Sequence, residues 1–119
     1  MPRKAPLDRI RAICLALPEA YEKTGHGRPT FHVSGGKAFV MFMDNHRNDG
    51  RLAIWCSATE GAQDVLVRSR PERFFVPPYV GHRGWIGVRV EGAVDWREVA
   101  ALIEDAWREA APKRLLATM

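Results

Sequence analysis

The sequence predicts an α+β domain in two layers, with helices on one face of an antiparallel sheet of about five strands. Two stretches, 7–17 and 96–110, repeat apolar residues at the spacing of a helix that buries one face. Between them lie short runs in which apolar and polar residues alternate, which is the pattern of half-buried strands. Most of these runs are separated by short turns rich in glycine, so consecutive strands are expected to pair as antiparallel hairpins.

Length and composition are those of one globular domain. The chain has 119 residues, of which 46% are hydrophobic and 27% charged, so a single domain over 1–119 is predicted, with its core over about 7–116. No apolar run approaches the roughly 18 residues that are needed to cross a bilayer. The basic start is not followed by the apolar stretch of a secretory signal, so we expect a cytoplasmic protein without membrane contact.

The first part of the chain is expected to contain a helix, a loop and a hairpin. The helix is predicted over Leu7–Leu17, and the proline that follows ends it. Charged residues, glycines and a proline dominate 19–29, so this stretch is expected to be a loop. Thr30–Val33 and Lys37–Met43 are predicted strands, and the glycine-rich turn between them makes them a hairpin.

A third strand and a second helix are predicted next. Leu52–Cys56 is apolar and strand-forming, and the polar stretch 44–50 separates it from the strand before it. Ser57 and Glu60 have the spacing of a capping box, so we expect a helix that begins there and reaches Ser69.

A second hairpin and a long helix complete the prediction. The runs Phe74–Val80 and Trp85–Val90 flank a turn at 81–84, but two prolines in the first run cannot donate ladder hydrogen bonds and place that strand at an edge or a bulge. Asp95 and Glu98 repeat the capping-box spacing and are expected to open the last long helix. A later proline separates this helix from a short terminal turn or helix.

Neither a metal site nor a catalytic constellation is evident. Cys14 and Cys56 fall on apolar faces of a helix and a strand, where buried free thiols are expected. The four histidines are scattered without metal-binding spacing, so we expect neither a metal nor a cofactor. Because no carboxylate pair or triad stands out, the sequence favours a binding protein over an enzyme.

The charge is distributed unevenly. The net charge is +4; cations dominate 3–11 and 68–83, whereas carboxylates dominate 95–109. One side of the fold is therefore expected to be basic, which suits a polyanionic partner, although a solvated surface of mixed charge has the same composition.

The two predicted hairpin turns each combine glycine with a cation. Lys37 follows the first turn, and Arg83 lies within the second. Glycine lets backbone amides approach a partner closely, and a cation at the tip contacts phosphate. Paired basic hairpins, here called wings, would straddle a DNA backbone or enter a groove, although ordinary tight turns have the same residues.

Alternation along the strands predicts a second sheet face that bears aromatic and polar groups. Opposite the aliphatic positions lie the members of this set, which are Thr30, His32, Trp55, Trp85 and Arg89, with small residues between them. We expect these side chains to face away from the helices. They form either a binding surface or buried packing, under the 44–50 loop or in a dimer.

The motifs resemble those of the MmcQ/YjbR-like family of small bacterial proteins. The matching stretches are Gly27–Phe31, Pro77–Gly81 with Gly84–Val88, Asp95–Trp96 and Ala111–Leu115, and the resemblance extends over about Leu7–Leu116. It implies a CyaY-like, frataxin-related fold, and members are described as DNA-binding proteins with a double-wing motif. The first helix is basic, so the iron binding associated with an acidic first helix of frataxins is not implied.

The leading hypothesis is therefore a domain that binds DNA through its phosphates. Lys37 and Arg83 would lie at the wing tips, and the supporting residues would be Arg28, Arg70, Arg73, Arg89, His32, Tyr79 and Trp85. A first alternative is a site that binds a small anionic ligand or acts on it as an enzyme, bordered by His26, Arg28, Tyr79 and Trp85. A second alternative is a homodimer that pairs the tryptophan-bearing sheet faces.

Overall fold

The computed structural model describes residues 5–25 and 27–117, and within them four α-helices cover one face of a six-stranded sheet. The helices are α1 Pro6–Leu15, α2 Ala62–Ser69, α3 Trp96–Ala110 and α4 Lys113–Leu116. The strands are β1 Ala20–Gly25, β2 Arg28–Val33, β3 Ala38–Asp44, β4 Leu52–Cys56, β5 Phe74–Phe75 and β6 Ile86–Arg89. All neighbouring strands are antiparallel, in the order β1-β2-β3-β4-β6-β5. The predicted fold class is confirmed, with six strands in place of about five.

The additional strand arises where a loop was expected. Prediction of a loop over 19–29 is wrong, because β1 pairs with β2 along its whole length, from Ala20 opposite Val33 to Gly25 opposite Arg28. Cross-strand and helix contacts supply what the weak strand propensity of this segment lacks. The Tyr21 ring stacks on the His32 ring at 5.3 Å between centroids.

The second predicted hairpin is wrong in its extent. Only Phe74–Phe75 pairs with β6, and the chain then leaves the sheet at Val76–Pro78, where the two prolines cannot donate ladder hydrogen bonds. A 3₁₀ turn at Gly81–Arg83 replaces the expected tip. The Gln63 amide of α2 fastens this connection by donating to the carbonyls of Gly81 and Trp85 at 2.8 and 2.7 Å. The edge position of β5 is confirmed.

The two predicted capping boxes have different outcomes. At α2 the prediction is wrong: Ser57 Oγ donates to the Ala106 carbonyl at 3.0 Å, and the helix begins only after Gly61, whose φ of +87° suits glycine. At α3 the Asp95 carboxylate accepts the amides of Arg97 and Glu98, so the predicted start of this helix is confirmed.

Two apolar clusters lie on opposite faces of the sheet. The larger joins the helices to one face and includes the fully buried Ile10, Ile103 and Trp107. The smaller lies on the helix-free face and consists of Met43, Ala53, Trp55, Phe75, Val80 and Trp85. The predicted division of the strands into an aliphatic and a tryptophan-bearing face is thereby confirmed.

The glycine at position 87 explains how the smaller cluster closes. A Cβ on Gly87 would lie 2.3 Å from the Phe75 ring, so this ring occupies the space beside the backbone of the neighbouring strand. Gly87 has no side chain on this face of the sheet, and the Phe75 ring from the neighbouring strand β5 fills the space. Across the described ranges, no helix is long and apolar enough to pass through a membrane.

Candidate ligand-binding cavity

The helix-free face of the sheet contains a cavity of about 670 Å³ beside the smaller apolar cluster. A volume of this size accommodates a small organic molecule. The lining consists of Lys23, Thr24, Gly25, Arg28, Thr30, His32, Ala38, Met41, Met43, His46, Arg47, Trp55, Tyr79 and Val80. We call this space the cavity; its floor is the apolar and aromatic part of the lining, and its rim is the part that carries the cations Lys23, Arg28 and Arg47.

The floor is apolar and aromatic. Trp55 is 2% exposed and Met43 is 4% exposed, and the half-buried Met41 lies two residues earlier on the same face of β3. The His46 ring meets the Trp55 ring edge-on, with centroids 5.0 Å apart, and meets the Tyr79 ring edge-on at 6.0 Å. A flat ligand would therefore find fixed aromatic surfaces here.

Unusual backbone conformations position two of these aromatic rings. Asn45, Arg47 and Asn48 have φ values of 56°, 48° and 60° in the loop that presents His46, and Tyr79 has a φ of 66°. Such conformations cost non-glycine residues free energy and persist where the surroundings enforce them. In the loop, the Asn45 side chain accepts the Gly50 amide at 2.8 Å. Strained backbone thus concentrates in the two segments beside the cavity.

The rim carries an uncompensated positive charge. Lys23 and Arg47 are exposed, Arg28 is half-buried, and none of the three pairs with an acidic side chain in the part of the chain that the structure describes. Among the described residues of the lining there is no aspartate or glutamate. The Arg47 guanidinium lies 5.4 Å from the centre of the Tyr79 ring, in cation–π contact.

The acids nearest in sequence are already engaged elsewhere. Glu22 points to the opposite face of β1 from Lys23, and its carboxylate accepts two hydrogen bonds from Arg11 of α1 at 2.8 and 2.9 Å. The Asp49 carboxylate accepts the Arg51 amide at 2.9 Å within the loop, and its charge offsets part of the effect of the cations on His46. Because the cavity cations form no ion pair in the described part of the chain, they are left to water or to a ligand.

Both histidines of the cavity are held in the neutral form. Burial lowers the pKa of His46, and the charges of Arg28 and Arg47 lower it further, against a smaller opposing effect of Asp49. Burial also lowers the pKa of His32, with a contribution from Lys23. At neutral pH these imidazoles therefore offer one donor and one acceptor each.

Within the residues that the structure describes, several buried polar atoms in the floor have no hydrogen-bond partner. They are both ring nitrogens of His46 and Nε1 of Trp55. A buried polar group without a partner costs about 1–3 kcal/mol, and such groups in native proteins call for an explanation. Neighbouring side chains cover these atoms, so a ligand provides partners for them only if its binding moves those side chains.

The depressed histidine pKa values predict a pH-dependent stability. Unfolded histidine titrates near 6.5, so as the pH falls below about 6.5 the unfolded chain takes up protons that His32 and His46 resist in the fold. The free energy of unfolding should therefore decrease in that range. We expect His46→Gln to flatten this decrease in urea titrations, whereas His82→Gln, at an exposed histidine outside the cavity, should retain it. If the free energy of unfolding fell equally with pH in both variants, this would contradict the burial of a neutral His46.

Five of the residues singled out from the sequence meet in the cavity. Its lining includes Arg28, Thr30, His32, Trp55 and Tyr79, and Trp85 lies in the adjoining buried cluster at 4% exposure. His26 lies outside the described residues. The face predicted to bind a partner therefore does contain a concave space, and the contact of Trp55 with His46 confirms packing under the 44–50 loop. Homodimerisation through this face stays a prediction.

The predicted wing-tip residues lie together elsewhere. Lys37 and Arg83 are both exposed and border one depression of about 160 Å³, which Glu109 of α3 also lines. The Arg83 guanidinium lies 5.4 Å from the centre of the Trp85 ring. The DNA hypothesis requires these two cations to lie close together. The second expected hairpin tip is a 3₁₀ turn, and the double-wing motif stays a prediction.

The remaining predicted cations are occupied by contacts within the chain. The Arg70 guanidinium donates two hydrogen bonds to the Glu98 carboxylate. Arg73 donates to three backbone carbonyls, those of Arg89, Glu91 and Ala93, at 3.0 to 3.1 Å. The Arg89 guanidinium lies 3.7 Å from the Glu91 carboxylate. These side chains brace the β5–β6 edge, and their role in DNA binding stays a prediction.

Sequence reasoning missed several lining residues. Lys23 was assigned to a loop, and His46 and Arg47 to a turn-rich connection. Met41 and Met43 could have been found, because alternation along β3 places them on the same face as His32 and Trp55. No comparable signal existed for His46, whose position depends on the backbone of its loop.

The cysteines have no evident role in this site. Burial raises the pKa of Cys56 to about 12 and raises that of Cys14 as well, so both remain thiols. Within residues 5–25 and 27–117, no group of three or more His, Cys, Asp or Glu side chains is placed to hold a metal ion.

Comparison with known proteins gives a family and a fold. A family model described as YjbR matches residues 15–109. The chain is similar to the crystal structure of Deinococcus radiodurans protein DR2400, which contains the DUF419 domain, with 17% identity, a TM-score of 0.71, and coverage of 88% of this chain and 80% of that chain. At this identity the likeness shows the fold alone. No curated protein matches the sequence.

Proposed function

The chain belongs to the YjbR family, as its motifs indicated, and from that premise we propose that it binds a small organic anion in the cavity of its helix-free sheet face. One observation carries the proposal. Lys23, Arg28 and Arg47 line one space, and none of the other lining residues that the structure describes is acidic.

The energetics favour an anion that is partly apolar. Three like charges around one cavity repel each other, and an anion placed between them converts this repulsion into attraction. A guanidinium offers a planar pair of donors that matches a carboxylate or phosphate. The body of the same ligand would bury apolar surface against Met41, Met43 and Val80.

Calorimetry with matched acids and amides tests the proposal. The probes are 2-naphthoate and undecanoate, which have equal numbers of carbon atoms, each compared with its neutral amide. We expect at least one of the acids to bind and to raise the melting temperature, and its amide to bind about tenfold more weakly. Binding of neither acid, or equal binding of acid and amide, would overturn the anion site.

A second candidate function is contact with the DNA backbone near Lys37 and Arg83. The observation that favours it is that both exposed cations border one depression, and neither forms an ion pair in the described portion of the chain. The resemblance to a family described as DNA-binding agrees with it. Glu109 in the same depression reduces the local positive potential.

Titration of a labelled DNA duplex over a salt series tests this second function. The logarithm of the affinity should fall by about 0.9 per contacted phosphate for each tenfold rise in salt. The variant Lys37→Glu/Arg83→Glu should bind more weakly, whereas Lys113→Glu, an exposed reversal on α4, should have a smaller effect. Absence of duplex binding at low salt would remove the hypothesis and leave the cavity proposal intact.

A further inference from the structure

We infer that the ligand is an aromatic acid that lacks an ammonium group, and this inference rests on the proposed anion site. Three features of the cavity select this class: the aromatic floor, the unpaired buried ring nitrogens and the absence of carboxylates. Each feature excludes a different kind of competing ligand.

The floor selects a flat ring over a flexible chain. His46, Trp55 and Tyr79 form a set of rings with centroids 5.0 to 6.5 Å apart, already held in edge-on and tilted contacts. An added aromatic ring extends such a set with favourable edge and face contacts. The thioethers of Met41 and Met43 also interact favourably with aromatic rings. An aliphatic chain gains only burial from these surfaces and loses rotational freedom.

The unpaired nitrogens favour a ligand that carries hydrogen-bonding atoms on its ring. Trp55 Nε1 is a donor only, and neutral His46 has one donor and one acceptor. When binding moves the side chains that cover these atoms, a heteroaromatic ligand can supply partners to them, and the low local dielectric of a buried site strengthens each hydrogen bond. A saturated hydrocarbon chain leaves all of them unpaired.

The missing carboxylates exclude zwitterions and polyamines. An ammonium group carried into the cavity would face Lys23, Arg28 and Arg47 without an acidic partner in the lining. Binding an unpaired charge of the same sign as its surroundings is unfavourable even after partial solvation. The same three cations that attract a carboxylate therefore discriminate against an amino acid with the same side chain.

Three probes with the same number of carbon atoms separate these features. Indole-3-propionate has the predicted ring and acid, L-tryptophan adds an ammonium group to the same skeleton, and undecanoate replaces the ring by a chain. By calorimetry we expect indole-3-propionate to bind about tenfold more tightly than either of the others. Undecanoate binding as tightly as indole-3-propionate, or tryptophan binding as tightly, would overturn the inference while leaving an anion site. Failure of all acids to bind would overturn the proposed function itself.

A variant of the floor gives a second test. Trp55→Phe keeps a ring in the floor but removes Nε1, so it should reduce the preference for indole-3-propionate over undecanoate by several-fold. Trp96→Phe, on the opposite side of the sheet in contact with Arg9, is the matched control and should leave the preference unchanged. A preference unaltered by Trp55→Phe would show that the floor nitrogen does not select the ligand. Should that variant not fold, the comparison of the three probes on the unaltered chain decides the question.

Discussion

Replacement of Arg28 by glutamate is expected to weaken carboxylate binding in the cavity by about 100-fold, or roughly 2.8 kcal/mol at 1.4 kcal/mol per tenfold. Arg28 is the half-buried member of the three cations, and its charge lowers the pKa of the buried His46, so its field reaches the floor. Solvent screens such a group less than it screens the exposed Lys23 and Arg47. The reversal removes one attraction and adds one repulsion.

Calorimetric titration with indole-3-propionate at near-physiological ionic strength measures this effect. Arg28→Gln, which removes the charge without reversing it, should have an intermediate effect of about tenfold. Arg97→Glu makes the same change of charge on α3, on the helix side of the sheet, and should leave the affinity within about twofold. Arg28→Glu that binds as tightly as the unaltered chain would show that the cavity is not an anion site.

The stability of the same variant distinguishes a binding effect from misfolding. Arg28 makes no side-chain hydrogen bond within the described part of the chain, and it lies near two other cations. Its removal therefore deletes repulsion rather than a structural contact. We expect Arg28→Glu to unfold at a urea concentration no lower than that of the unaltered chain.

Periodicity in the sequence correctly predicted the helices and strands that bury one face. The apolar stripe of α3 and the alternation along β4 and β6 predicted both which residues enter the core and which side chains face away from the helices. By contrast, β1 is an exposed edge strand in which Glu22, Lys23 and Thr24 have no pattern of buried residues. Its pairing with β2 comes from tertiary contacts that composition does not encode.

The candidate site was predictable only where its residues lie on regular strands. His32 and Trp55 were placed on the correct face by counting positions along β2 and β4. The contribution of His46 depends on the positive φ angles of Asn45 and Arg47 on either side of it, and residue type does not dictate these angles. The backbone conformation of these flanking residues therefore decides whether the cavity has an imidazole in its floor.

The basic residues show a further limit of sequence reasoning. A cluster of arginines predicts a positive surface only if their partners lie elsewhere, and those partners can be distant in the chain. Arg70 binds Glu98, and Arg73 binds carbonyls at positions 89, 91 and 93, so much of the charge in 68–83 is used within the fold. Arg28, which the sequence had singled out, and Lys23, which it had not, both keep their charge available, and the nearby Glu22 is paired with Arg11.

Replacement of Trp107 by alanine is expected to destabilise the fold by about 3–5 kcal/mol. Trp107 is 0% exposed in the larger core, and its Nε1 donates to the Pro18 carbonyl at 3.0 Å. The side chain thus fastens α3 to the connection between α1 and β1. Because a domain of this kind has a total stability of about 5–15 kcal/mol, the loss would be a large part of it.

Urea unfolding of a graded pair of variants measures the two contributions. Trp107→Phe retains most of the ring volume but loses the hydrogen bond to Pro18, so about 1–3 kcal/mol should be lost. Trp96→Phe, at a half-buried tryptophan on the same helix, should cost less. A loss below about 1.5 kcal/mol for Trp107→Ala would contradict its place at the centre of the core.

The hydrogen bond from Trp107 to Pro18 also bears on the cavity, because the strand that follows Pro18, β1, carries Lys23 to the rim. If this bond positions β1, Trp107→Phe should weaken anion binding. An unchanged affinity would limit the role of Trp107 to stability.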